Sequence, residues 1–238
     1  MQSSDAGRAV IVWYDEGNRA LKMTSVSLSE ILSGINGKSW SATTISTKGG
    51  QYVQMSIDAE DGIHLAYMSN SGADLYYAYM PSYDSSNITE ILVDSKNDVG
   101  DNCSIDVGRD DESSPWIPVI TYKSNEGTKT KIAYPVVFEN GKPKDGATPG
   151  GFFTGNWSVS MLPTENKSTN DQINVGLNKD WNNGVIHEFV SGTDDTNSYT
   201  PKGPYSICSS GILYGNGTKN PVVGYAVSSG SIEMAQKK

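Results

Sequence analysis

Apolar and polar residues alternate in short runs along the whole chain, and most runs end at Gly, Asp, Asn or Pro. Alternation with a period of two is typical of β-strands that bury one face. No apolar stripe with helical spacing and helix caps continues over ten residues. The pattern therefore predicts an all-β chain of many short strands joined by turns.

These strands recur as a repeat. In the clearest copy, residues 56–67 give a strand, an acidic turn that contains glycine, and a second strand that ends in Tyr67; residues 74–78 give a third strand. Similar copies start near residues 4, 104, 173 and 205, and the copy near 173 is degenerate, with two recognisable strands. The aromatic residues that end the second strands are Tyr14, Tyr67, Tyr122, Phe189 and Tyr225.

Some copies contain a further strand. Residues 38–41 and 156–159 predict a fourth strand in the first and third units, and residues 88–93 take its place in the second. Residues 139–151, which are rich in Gly, Pro and Lys, interrupt the third unit as an insertion. The unit thus predicted is a sheet of up to four antiparallel strands.

Five such units in one chain average about 48 residues each, as expected for four-stranded propeller blades. One blade cannot bury both faces alone, whereas blades stacked in a ring bury them and leave only short edges. The sequence predicts a single β-propeller domain over residues 1–238, with five blades of up to four antiparallel strands. The approximate units are 1–48, 49–98, 99–170, 171–202 and 203–238.

The repeat also resembles a known class. A Ser-x-Asp strand end, a glycine turn, an apolar strand ending in Tyr, and Leu-Tyr-Tyr-Ala resemble the repeats of bacterial β-propellers of the sialidase type, the Asp-box or BNR class. An Asp box proper has Gly-x-Thr-Trp after the Asp, whereas this chain has Gly62, Ile63 and His64. The resemblance implies a propeller, a fold that carries lectins, hydrolases and scaffolds alike.

The charge narrows the function classes. The chain has 18 Lys and Arg against 27 Asp and Glu, a net charge of −9. This balance disfavours nucleic acid and anionic membranes as partners, and no apolar run reaches the roughly 20 residues of a membrane span. The low Lys content and the bias toward Asn, Ser, Thr, Gly and Tyr predict an extracytoplasmic location (periplasmic, secreted or cell-surface), with no leader present in this chain.

Carboxylates are the candidates for catalysis. Five-bladed glycoside hydrolases of the arabinanase-like kind use carboxylates near the central cavity, held roughly 5–10 Å apart. Asp58 and Asp106 recur at one repeat position, and Glu188 lies in mid-strand, where a buried charge would need a partner. Alternatively, the aspartates bond the amides of their own turns, and Glu188 lies on an exposed face.

The positions of the arginines disfavour sialidase activity. Sialidases bind the substrate carboxylate with three arginines, and this chain has Arg8, Arg19 and Arg109. Two of them belong to one unit and the third to a turn of another, so convergence on one site is not expected. No hydrolase elbow, phosphate loop or dinucleotide fingerprint occurs.

Metal and redox chemistry are also not predicted. His64 and His187 fall on opposite faces of their strands, so they are not expected to share a metal. No cofactor is predicted, although the oxygen-rich loop at residues 94–101 or the repeated aspartates leave a bound calcium ion possible. Cys103 and Cys208 belong to units that are not neighbours, which predicts free, buried thiols.

Two tryptophans suggest a binding face. Trp116 and Trp181 lie in the turn between the first two strands of their units, beside Asp111 and Asp180. Equivalent turns emerge on one face of the disc, where aromatic rings can stack on sugars while carboxylates bind hydroxyls. Alternatively, each Trp packs back onto its own blade.

The sequence thus predicts a non-catalytic extracytoplasmic binding module with a glycan or a protein as its ligand on the turn face. The alternatives are a glycoside hydrolase that uses Glu188 and the repeated aspartates, and a structural propeller that is part of a larger surface protein.

Overall fold

The structure is a computed structural model. It describes residues 2–3, 7–34, 40–108, 116–124, 129–135, 138–139, 142–143, 157–161, 172–176, 185–189, 205–215, 218–227 and 232–236. Side chains are described for residues 7–34, 40–108, 116–124, 131–135 and 157–161.

Successive strands pair with their neighbours along the chain to form antiparallel sheets. The first sheet contains β1 (Gln2–Ser3), β2 (Arg8–Asp15), β3 (Ala20–Ser27) and β4 (Thr43–Ser46), with the short helix α1 (Leu28–Leu32) between β3 and β4. The second sheet contains β5 (Gly49–Ile57), β6 (Ile63–Ser69), β7 (Leu75–Met80) and β8 (Thr89–Asp94).

The third sheet contains an insertion. It begins with β9 (Val99–Gly108), β10 (Ile117–Ser124) and β11 (Lys129–Pro135). A separate hairpin follows, made of β12 (Phe138–Glu139) and β13 (Lys142–Pro143), before β14 (Trp157–Met161) completes the sheet beside β11. The hairpin lies where the Gly- and Pro-rich stretch predicts an insertion.

The last two sheets are smaller within the described residues. The fourth pairs β15 (Gln172–Gly176) with β16 (Val185–Phe189), and the fifth contains β17 (Tyr205–Gly215), β18 (Thr218–Val227) and β19 (Ile232–Gln236). The described sheets therefore follow the same order as the repeats, with the degenerate copy giving two strands.

One strand prediction was wrong. The fourth strand of the first sheet is Thr43–Ser46, and the described residues of the predicted stretch 38–41, Trp40 and Ser41, precede it. The β-branched run Thr43-Thr44-Ile45 suits a strand, whereas Trp40 lies outside any strand. Upstream, Ser27 and Glu30 form a capping box that ends β3 and starts α1, so the chain reaches β4 late. The predicted fourth strands of the second and third sheets are confirmed as β8 and β14.

Strand alternation lets the second sheet pack on two neighbours. On β6, Leu65 and Tyr67 face the first sheet, and Ala66 between them faces the third. Both cores consist of buried residues that come from facing sheets. The core between the first and second sheets contains Val10, Leu21, Met23, Ile45, Met55, Ile63, Leu65, Tyr67, Ala78 and Met80. The core between the second and third contains Ala66, Leu75, Tyr77, Val99, Cys103, Ile105, Ile120, Tyr122 and Ala133.

The same stacking continues along the chain. The first strand of each later sheet contacts the sheet before it: β5 lies on β2, β9 on β5, β15 on β9 and β17 on β15. Because strands alternate in direction, the turn after each first strand lies on one side of the stack. The turn after each second strand and the link to the next sheet lie on the opposite side. We call these the first-turn face and the link face.

Candidate functional site

A polar groove opens on the link face between the first and second sheets, with a volume of about 420 Å³. We call it the interblade groove. Three segments line it: the turn after β2, the link after β4, and the turn after β6 with the start of β7. Its described lining residues are Asn18, Arg19, Thr47, Lys48, Ser69, Asn70, Ser71, Asp74 and Tyr76.

The turn after β2 is held by its own side chains. Asp15 accepts hydrogen bonds from the amide and from the side-chain nitrogen of Asn18, at 3.1 and 2.6 Å. These hydrogen bonds lower the pKa of Asp15. The chain then enters the left-handed region at Arg19 (φ 50°), which brings the Arg19 side chain to the wall of the groove.

Asn70 ties this turn to the second sheet. Its Oδ1 accepts from the Tyr14 hydroxyl at 2.7 Å, and its Nδ2 donates to the Arg19 carbonyl at 2.7 Å. The Arg19 guanidinium donates to the Asn70 carbonyl at 3.3 Å, and the Asn70 amide donates to the Lys48 carbonyl at 2.8 Å. Three segments that are distant in sequence are thereby fixed in one arrangement.

The turn after β6 positions a carboxylate. Ser69 Oγ accepts from the amide of Asp74 at 3.0 Å and donates to the carbonyl of Ser71 at 2.8 Å. Gly72 has a φ of +88°, and a Cβ at this position would lie 3.0 Å from Asp74 Oδ2. Glycine at this position therefore allows both the turn and the close approach of the Asp74 carboxylate.

Lys48 and Tyr76 line the groove beside the link, and each has a partner that is not itself a lining residue. Tyr76 stacks on Tyr67 with ring centroids 5.8 Å apart, and the Lys48 ammonium lies 5.0 Å from the Tyr76 centroid. Lys48 also pairs with Glu90, which accepts a hydrogen bond from the Tyr67 hydroxyl. Burial alone would raise the pKa of Glu90, but hydrogen bonds from Lys48, Ser46 and Tyr67 lower it.

Asp58 belongs to a buried network on the opposite, first-turn face. Its Oδ1 accepts from the amides of Glu60 and Gly62, both at 2.8 Å, and its Oδ2 lies 3.0 Å from His64 Nε2. His64 Nδ1 lies 2.7 Å from the Tyr77 hydroxyl. Burial acts to raise the pKa of Asp58, but His64 and the turn amides bring it below the ordinary value. Asp58 therefore bonds the amides of its own turn, which is the alternative to a catalytic role, and both of its carboxylate oxygens have partners.

The other two candidate carboxylates lie elsewhere. Asp106 is half-buried on β9 and accepts from Ser56 Oγ and from the Val107 amide, both at 2.9 Å. It therefore links the second and third sheets. Glu188 lies on β16 opposite Ile173, and its side chain is outside the described residues. Its catalytic role stays a prediction.

Trp116 is covered on the first-turn face. Its side chain is 5% exposed, and its indole N–H donates to the Glu60 carboxylate in the corresponding turn of the second sheet. The ring thus joins the start of β10 to the turn after β5 and offers little surface to a ligand. Trp181, Asp111 and Asp180 lie outside the described residues, so their binding role stays a prediction.

The arginines do not form a cluster among the described residues. Arg8 lies 4.5 Å from the Tyr83 ring and donates to Ser25 at 3.3 Å, while Arg19 lines the interblade groove. Arg109 is outside the described residues.

The thiol prediction is confirmed for Cys103. It is free and buried, and its Sγ donates to the Tyr52 carbonyl at 2.9 Å. Burial raises the pKa of the Cys103 thiol to about 12. The side chain of Cys208 is outside the described residues.

The described residues contain no group of three or more His, Cys, Asp or Glu side chains that could hold a metal ion. Within them, no helix has the length and apolar character needed to cross a membrane.

The sequence did not predict the interblade groove, because its tryptophans indicate a binding site on the first-turn face instead. In the sequence, Arg19 stands out only as one of the three arginines with which a sialidase would bind the substrate carboxylate. A signal was nevertheless present: strand alternation places the turns after the second strands and the links on one face, where Arg19, Lys48 and Asp74 all occur.

Comparison with known proteins identifies the fold alone. No family model and no curated protein matches the chain. A crystal structure of an arginine-to-alanine triple mutant of AofleA from Arthrobotrys oligospora matches with 12% identity and a TM-score of 0.59, over 98% of this chain and 69% of that one. The fucose-specific lectin from Aleuria aurantia matches with 16% identity over 97% of this chain and 91% of that one, but its TM-score of 0.32 is too low for a structural argument. The AofleA match and the stacked meander sheets confirm an all-β propeller.

Proposed function

We propose that this protein is a non-catalytic, extracytoplasmic glycan-binding module and that the interblade groove is its binding site. The single observation that carries the proposal is the groove itself. A guanidinium, a carboxylate and an aromatic ring line one concave surface, and two hydrogen-bonded turns hold its walls.

The chemistry of the lining suits a saccharide. Sugar hydroxyls both donate and accept, so they need partners of both kinds. The exposed guanidinium of Arg19 has five N–H donors, and Asn70 is its one hydrogen-bond acceptor among the described residues. Asp74 supplies acceptor oxygens, and Tyr76 supplies an aromatic ring at the same surface. A volume of about 420 Å³ is within the usual range of small-ligand sites.

The groove favours binding over cleavage. Hydrolysis of a glycosidic bond generally uses two carboxylates on either side of the bond. Asp74 is the one carboxylate among the described lining residues, and Asp58 is engaged by its own turn on the opposite face. A fucose-specific lectin is among the solved structures that the chain matches, although the support for the proposal comes from the groove alone.

Calorimetry on matched variants tests the proposal. An oligosaccharide panel is first incubated with the protein and read by native mass spectrometry for retention and for cleavage. The retained saccharide is then titrated into the wild-type protein, Arg19→Ala and Asp74→Ala. Loss of a hydrogen bond to a charged group costs about 1.5–3 kcal/mol, so each variant should bind about 10-fold to 100-fold more weakly.

The controls remove the same charges outside the groove. Lys22→Ala removes an exposed cation near the turn that holds Arg19, and Asp84→Ala removes an exposed anion that bonds Ser82. Both should bind as the wild type does. Cleaved products, retention of no saccharide, or wild-type affinity in Arg19→Ala and Asp74→Ala would each contradict the proposal.

A further inference from the structure

A second cleft, of about 590 Å³, opens on the link face between the outer strands of the second and third sheets. We call it the rim cleft. It lies between the link that follows β8 and the adjacent ends of β11 and β14. Its described lining residues are Leu92, Val93, Asp94, Ser95, Lys96, Asn97, Lys131, Val159, Ser160 and Met161.

We propose that the rim cleft is a second binding site, specific for acidic saccharides whose carboxylate is bound by Lys131. The inference rests on the proposed function, because it takes the same class of ligand. The rim cleft shares no lining residue with the interblade groove, so experiments can test ligand binding at the two sites separately.

Lys131 has N–H donors in the cleft wall that no described residue accepts. It is 4% exposed, and its Nζ lies 3.0 Å from Asp94 Oδ2, its one polar partner among the described residues. An ammonium group has three N–H donors. A buried donor without an acceptor is costly, so a ligand oxygen that enters the cleft would be bound strongly.

The carboxylate beside it has little capacity left for a ligand. Asp94 Oδ2 accepts from Tyr122 at 2.8 Å as well as from Lys131, and its Oδ1 accepts from the Lys96 amide at 3.1 Å. Lys96 adds a second, exposed ammonium to the wall. Two cations against one carboxylate make the cleft locally positive in a chain of net charge −9, which favours an anionic ligand.

The remaining lining suits a sugar better than a simple anion. Ser95, Asn97 and Ser160 offer hydroxyl and amide groups, and the exposed side chains of Leu92, Val159 and Met161 offer apolar contacts. Saccharides present hydroxyls on their edges and C–H groups on their faces. The volume of about 590 Å³ is in the usual range of small-ligand sites and is larger than a single small anion needs.

The test compares trigalacturonic acid with its methyl ester, which has the same rings without the charges. Calorimetry of the wild-type protein should show the acid binding at least about tenfold more tightly than the ester. Ser160→Trp, a change at an exposed position, should abolish binding by filling the cleft. Thr43→Trp, which places the same ring on the exposed outer strand of the first sheet, should leave binding unchanged.

The cationic residues are tested separately. Lys131→Gln should weaken binding of the acid to the level of the ester, with the fold checked by circular dichroism. Because that variant leaves Asp94 without its ion pair, Lys96→Gln serves as a second test, and we expect it to weaken binding several-fold. Equal binding of acid and ester, full binding to Ser160→Trp, or no binding of the acid would overturn the inference.

Two further comparisons separate the rival explanations. A tetraglutamate peptide that binds more tightly than the saccharide would overturn the ligand class. Arg19→Ala should leave binding of the acid unchanged, so a failure of the interblade groove is distinguishable from a failure of the rim cleft.

Discussion

Replacing Asp58 by Ala tests the buried network on the first-turn face. Asp58 is 6% exposed. Its carboxylate accepts from two backbone amides, those of Glu60 and Gly62, and bonds His64 Nε2. Alanine removes the carboxylate, so all three groups lose their partner at once. The amide of Gly62 and the imidazole of His64 are then left buried, whereas the Glu60 amide lies nearer to water.

The expected loss follows from the unsatisfied groups. Each buried donor left without a partner costs about 1–3 kcal/mol, so the two buried groups together predict a loss of about 2–6 kcal/mol in the free energy of unfolding. Asp58→Asn should cost less, about 1 kcal/mol. Its Oδ1 can still accept from both amides, and its Nδ2 can donate to His64 Nε2 while the Nδ1–H of His64 donates to Tyr77.

Urea unfolding followed by tryptophan fluorescence measures the loss, with Asp61→Asn as the control. Asp61 lies in the same turn at a φ of 65°, and Asn tolerates this conformation and removes the same charge. The control should lose much less stability than Asp58→Ala. A free energy of unfolding in Asp58→Ala within about 1 kcal/mol of the wild-type value, or equal losses in the Ala and Asn variants, would refute the reasoning.

Three further outcomes are expected. Gly49→Ala places a Cβ 2.5 Å from backbone atoms of β6 and should lower the free energy of unfolding by about 1–3 kcal/mol; an unchanged urea midpoint would contradict this. Cys103 should react slowly with iodoacetamide in the native protein at about pH 8, because burial raises the pKa of its thiol. Labelling is measured by mass spectrometry of the peptide that contains Cys103, and a rate as fast as in urea would show that the thiol is accessible. The pKa values of Asp58, Glu90 and Asp94 are lowered in the fold. Their contribution to stability is therefore complete above the ordinary values of 3.8 and 4.5, and it is lost as the pH falls through the lower folded values; stability that stays constant over this range would contradict the assignment.

The sequence predicted the fold because the repeat carries its own signals. Tyr67 and Tyr122 both lie two residues before the end of their strands, β6 and β10, and both are fully buried between sheets. The Tyr67 hydroxyl donates to Glu90 in the same sheet, and the Tyr122 hydroxyl donates to Asp94 in the preceding sheet. The alternation of apolar and polar residues, together with the residues typical of turns, thus predicted the positions of most strands. The early placement of the fourth strand in the first sheet shows the limit, because a capping box upstream shifted the boundary.

The candidate site was harder to predict because its residues come from different repeats. Arg19, Lys48 and Asp74 are far apart along the chain. Their segments are joined through Asn70, which exchanges hydrogen bonds with Arg19 and donates its amide to the Lys48 carbonyl. Trp116 directly precedes β10, and its burial depends on Glu60, a partner from the neighbouring repeat. Contacts between repeats are not visible in the pattern of either repeat alone.

Mapping of backbone amide shifts by NMR tests the central claim most directly. A saccharide retained by the protein is titrated into isotope-labelled wild-type protein. The account predicts that the shifts concentrate at Asn18, Arg19 and residues 70–74, the two turns of the interblade groove, and that Arg19→Ala strongly reduces them at the same saccharide concentration. Shifts confined to the first-turn face around Trp116, with the groove amides unchanged, would contradict it.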